Sequence, residues 1–71
     1  MKKGIYKHYK GNLYEVLESV YHSETQEKMV LYRPLYGERN LWVRPYDMFF
    51  ENISLNGKEQ ARFAYVGETC E

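Results

Sequence analysis

The chain has 71 residues, with ten basic and ten acidic side chains that leave a net charge of zero. Such a length holds one small domain and no second core, and the charge balance argues against general nucleic-acid binding, which relies on surplus Lys and Arg. One cysteine, Cys70, excludes an internal disulfide and a thiolate metal centre, and fits a reducing compartment.

In chain order, Ile5 to Tyr9 is the first strand candidate. Ile5, Lys7 and Tyr9 share one face, Tyr6 and His8 the other. Lys2, Lys3, Lys7 and Lys10 make this segment basic, as suits a solvated edge strand that resists pairing; a phosphate-binding strip is the alternative. Lys10-Gly11-Asn12 is turn chemistry and returns the chain antiparallel. Leu13 to Tyr21 is the longest strand. Tyr14, Val16 and Val20 share a parity that Leu17 and Glu18 break, so a β-bulge is expected there.

His22 to Glu27 is a polar loop. Met29 to Tyr36 follows as a strand in which Pro34 marks an edge position or the strand's end. Gly37 to Asn40 has the composition of a short connection between antiparallel strands. Leu41-Trp42-Val43-Arg44 is then a four-residue strand. Alternation places Leu41 and Val43 on one face, read as the core side, with Trp42 and Arg44 on the other.

Pro45 stops that strand and suits the first position of a helical turn. Pro45 to Phe49 predicts one turn of 3₁₀ helix, with Met48 or Phe49 plugging the core. Asn52 to Leu55 is a further strand, and Asn56-Gly57 is the strongest hairpin signal, since both residues accept positive φ. Arg62 to Val66 is expected to complete that hairpin, and residues 67–71 to fray. No segment carries the 3.6-residue period of an amphipathic helix. Residues 1–71 thus read as a single all-β domain: a small SH3-like barrel, or a curled antiparallel sheet, of five to six strands with one 3₁₀ turn.

Eight Tyr, three Phe and one Trp exceed what a small core usually holds, so some aromatics should reach the surface. If Trp42 points outward beside Arg44, the surface of Trp42, Arg44, Tyr46, Tyr36 and Arg39 is the candidate site for a partner. Aromatics and Arg dominate interface hot spots. The ligand would be a protein or peptide segment, or a few unpaired bases stacked on the rings. In the competing reading Trp42 is the centre of the core. A third possibility is self-association, a homodimer with the excess aromatics buried between two copies.

The words His8-Tyr9-Lys10-Gly11, His22-Ser23-Glu24-Thr25 and Leu41-Trp42-Val43-Arg44-Pro45 form a specific set. With Gly4-Ile5-Tyr6, Tyr14-Glu15-Val16-Leu17, Tyr32-Arg33, Leu35-Tyr36-Gly37 and Met48-Phe49, the chain resembles the small bacterial proteins grouped as domain of unknown function 1653. The likeness runs from about Gly4 to Phe63. It implies a bacterial, usually free-standing domain and no particular activity. Gln60-Ala61-Arg62-Phe63 departs from the Pro-Arg-Phe expected near the final strand.

Nothing points to catalysis or to a cofactor. His8 and His22 stand fourteen residues apart with no Cys or Asp near either, so no metal-ligand spacing exists, although the strands that hold them could bring them together with Glu24. Asp47 and Glu51 have the i, i+4 spacing of a solvated carboxylate pair rather than an acid–base couple. No apolar run is long enough to span a membrane. Met1 to Tyr9 lacks the apolar stretch of a secretory signal, so Asn52-Ile53-Ser54 should stay unglycosylated and the protein is expected in the cytoplasm.

Overall fold

A computed structural model describes residues 1–68. Seven strands and one helical turn follow in the order β1 (Gly4–His8), β2 (Leu13–Tyr21), β3 (Lys28–Pro34), β4 (Trp42–Pro45), α1 (Tyr46–Phe49), β5 (Asn52–Leu55), β6 (Lys58–Ala61) and β7 (Phe63–Gly67). Five of them form one antiparallel sheet in the order β4-β3-β2-β1-β7, while β5 and β6 form a separate hairpin.

The sheet is curled and open: β4 and β7 are its two edges and do not pair, so the barrel alternative is excluded. Curling follows from two irregularities. Between Val16 and Glu18 the register against β3 slips by one, which leaves Leu17 as the extra residue of the expected bulge. A second slip sits where Ile5 faces Gly67 but Tyr6 faces Tyr65, so Val66 is the extra residue of β7. Bulges bend and twist a strand, and two of them roll the sheet about its inner face.

That inner face is aromatic. Tyr6, Tyr14, Val16, Val30, Tyr32, Phe49 and Phe63 form the buried cluster, with Tyr46 and Phe50 packed against it. Pro45 ends β4, and the chain makes one turn in which the Phe50 amide donates to the Tyr46 carbonyl at 3.1 Å. That i→i+4 bond makes the turn α-helical rather than 3₁₀. Phe49 is the plug, while Met48 faces solvent.

Several expectations need correction. β1 lies between β2 and β7, so the Lys-rich segment is not an edge strand. Its cations are dispersed: Lys3 pairs with Glu18 at 2.9 Å, and Lys2 lies over the Tyr65 ring at 4.9 Å. The partner of β5 is Lys58–Ala61, joined through Asn56 (φ 54°) and Gly57 (φ 78°). Phe63–Gly67 leaves that hairpin at Arg62 and pairs with β1 instead. Gly67 is therefore a paired residue; of the tail expected to fray, 69–71 lie outside the described residues.

The face assignment in β4 is also reversed. Trp42 pairs with Tyr32 and Arg44 with Val30, so both share the inner face. Val43 pairs with outward Leu31, and Leu41 and Val43 are 53 % and 54 % exposed. Directly opposed residues of an antiparallel pair project to the same side. Buried Tyr32 therefore dictates the side that Trp42 takes.

Candidate functional site

Strands β2, β3 and β4, with the loop that follows β3, present aromatic rings in a continuous run along the inner face. Tyr36 meets Tyr14 with ring centres 5.9 Å apart, Tyr14 meets Tyr32 at 5.7 Å, and Tyr32 meets Trp42 at 6.1 Å. All three contacts are edge-to-face, the arrangement favoured by the ring quadrupole. Trp42, at the end of the run on edge strand β4, remains 44 % exposed. It is neither the core centre nor an outward side chain, but the open margin of the core face.

Arg44 reaches back over this floor. Its Nε donates to the Tyr32 hydroxyl at 3.4 Å, and its guanidinium carbon stands 5.6 Å from the centre of the Phe63 ring. Arg44 is half-buried, yet among the described residues no carboxylate comes within ion-pair distance of it. His8 leans on the same Phe63 ring at 4.8 Å, edge to face. Its Nδ1 accepts the Lys10 amide at 3.2 Å, so Nε2 carries the proton of the neutral ring. Burial, then the charges of Arg44, Arg62 and Lys10, lower the His8 pKa below its usual value.

Tyr14 and Tyr36 share a hydroxyl hydrogen bond of 3.1 Å. Burial, with that bond adding to it, pushes the Tyr14 hydroxyl up to about 12. Because the folded pKa lies above the ordinary value of 10, the stability linked to Tyr14 is complete below pH 10 and lost as pH rises toward 12. Ultraviolet titration should therefore show a tyrosinate that appears only as the protein unfolds in that window, and Tyr14→Phe should remove it.

The other predicted site residues lie apart from this strip. Tyr46 packs on Phe50 at 4.8 Å and carries the Lys28 ammonium over its ring at 4.3 Å. Arg39 is exposed in the β3–β4 loop with φ 57°. Tyr14, Tyr32, Phe63 and His8 belong to the strip although the sequence pattern does not single them out. Alternation could have found Tyr32, since it groups that residue with Val30 and Pro34; Phe63 and His8 meet only through the long-range β1–β7 pairing.

Among the described residues the chemistry-bearing side chains do not converge elsewhere. His8 and His22 stand beyond opposite ends of β2, and no group of three or more metal-ligating side chains occurs among the described residues. Glu51 is committed to Arg62, which donates from Nε at 3.1 Å, while Asp47 is exposed. The described surface has no cavity, so a ligand would lie along the strip rather than enter a pocket. No helix among the described residues is long and apolar enough to cross a membrane.

Fold and site define a small all-β protein with an open, curled sheet and an aromatic inner face that surfaces at one edge. The chain belongs to the family described as protein of unknown function (DUF1653), whose model matches residues 4–65. It is also similar to the crystal structure of a member of that family from Bordetella bronchiseptica. The two are 33 % identical, the match covers 100 % of this chain and 94 % of that one, and the TM-score is 0.89. No curated protein matches.

Proposed function

We propose that this chain is a non-catalytic binding module of the bacterial cytoplasm that receives a protein or peptide partner on the Tyr36–Tyr14–Tyr32–Trp42 strip beside Arg44. The observation that carries this reading is Arg44 itself. A half-buried cation with no carboxylate partner among the described residues, bonded to the Tyr32 hydroxyl and held over the Phe63 ring next to a half-exposed Trp, keeps guanidinium donors that a partner can take up. Tyr46 and Arg39 would serve only as outlying contacts. The lone cysteine of the sequence supports the reducing compartment, and the Bordetella relative the bacterial source.

Trp42→Ala is the test. Half-exposed Trp42 should cost about 1–2 kcal/mol of stability, short of the ~3–5 of a fully buried ring. Partner affinity should fall by about 2 kcal/mol or more. Urea denaturation gives the first number; the second comes from calorimetry with a partner that wild type retains from native lysate and the variant does not. Equal retention by both proteins defeats the proposal.

Self-association is the second reading, favoured by exposed Leu41 and Val43 on the outer face beside partly covered Leu31 and Met29. Sedimentation across concentrations decides it, with a Val43→Glu variant expected to stay monomeric if that face is the contact.

A further inference from the structure

The cations around the strip are not equivalent. Arg62 is taken by Glu51, and Lys10 stands at the β1–β2 turn with its ammonium 5.8 Å from the Tyr9 ring. Burial and the neighbouring cations favour the neutral form of His8. Lys28 and Lys2 lie over Tyr46 and Tyr65, apart from the strip, so among the described residues Arg44 is the cation without a carboxylate that sits on the strip's own rings, Tyr32 and Phe63. One free charge matches a singly charged anion, whereas a phosphate dianion would need a second.

Spacing adds a second constraint. Trp42 and Arg44 are two residues apart on β4 and project to the same face, which puts their backbones about 7 Å apart. That is roughly the reach between a carboxylate and a ring on the same or a neighbouring residue of an extended chain. The guanidinium fork suits a carboxylate, and the exposed indole suits a flat ring.

We propose that Arg44 anchors a carboxylate of an extended peptide whose adjacent aromatic side chain lies against Trp42. The assignment rests on the inner face being the binding surface, and it specifies what that surface reads: an acidic group next to a ring.

Three small probes separate the parts. Acetyl-tyrosine offers one carboxylate and a ring, acetyl-tyrosine amide the ring alone, and acetyl-phosphotyrosine amide a ring with a dianion. Nuclear magnetic resonance reports on the Arg44 Nε–H and Trp42 indole N–H during each titration. Acetyl-tyrosine should move both signals, with the amide at least about tenfold weaker. Arg44→Gln should reduce acetyl-tyrosine to the level of the amide while the spectrum stays dispersed, and Arg44→Lys should lose about fivefold through the missing fork. If the amide binds as well as the acid, the carboxylate anchor is wrong and ring binding on the strip survives. If neither moves the Trp42 signal, the anchor and the proposed binding surface both fall. Binding of the phosphotyrosine probe about tenfold more tightly than acetyl-tyrosine overturns the preference for a single charge.

Discussion

Phe49→Ala is expected to leave the domain close to unfolded in buffer. Phe49 is fully buried, its ring stacked on Phe63 at 4.1 Å and 2° and met edge-on by Tyr6 at 5.7 Å and Tyr32 at 5.3 Å. It is also the one buried residue of α1, a four-residue turn with no intrinsic stability of its own. Truncating a buried Phe costs about 3–5 kcal/mol. A chain of this size has only about 4–10 kcal/mol in total. At the middle of both ranges the loss removes more than half of that, and it frees the turn that covers the inner face. Urea denaturation followed by Trp42 fluorescence measures it; a loss below about 1 kcal/mol would mean the core closes without its plug.

Gly4→Ala is expected to be the most damaging change outside the buried cluster. Gly4 has φ +137°, and a Cβ there would stand 2.5 Å from the Gly67 carbonyl oxygen and 3.1 Å from the Glu68 Cα. Both obstacles are backbone, so no side chain can swing aside. Strained φ costs about 1–3 kcal/mol and overpacking about as much again. Gly11 is the matched control: its φ is +111°, but a methyl group added there would meet nothing within 4 Å. Gly11→Ala should show the backbone cost alone, and Gly4→Ala roughly 2 kcal/mol beyond it. Equal midpoints for the two variants in a thermal melt would show that β7 shifts to admit the methyl group at no cost.

Much of this architecture is legible along the chain. Alternation in Leu13–Tyr21 breaks at Leu17, and the bulge is there; Asn56-Gly57 turns where both residues accept positive φ. Pro34 ends β3, and Pro45 introduces the turn that delivers Phe49. In β4 the period is right and the sign is wrong. Hydropathy makes the aliphatic residues the inward set, but this core is built from Tyr and Phe, and Leu31, Leu41 and Val43 face outward. Only the pairing of Trp42 with Tyr32 reveals that, and strand pairing is a tertiary fact. The same limit hides the strip, whose members come from β1, β2, β3, β4, β7 and the β3–β4 loop, and it hides the bend at Arg62 where one apparent strand serves two partners.

The contact between Gly4 and Gly67 places the beginning and end of the sheet side by side. The backbone from 4 to 67 therefore runs as an almost closed ring, with the β5–β6 hairpin as an excursion outside the five-stranded sheet. Joining the two ends by a short linker and reopening the chain at Asn56–Gly57 would preserve every strand pair of the five-stranded sheet, because β5 and β6 pair only with each other. Such a circular permutant should fold, and its sequence order would turn the longest-range pairing, β1 with β7, into a local one. The same geometry lets the domain be inserted into a surface loop of a larger protein, since both ends meet the host at one place.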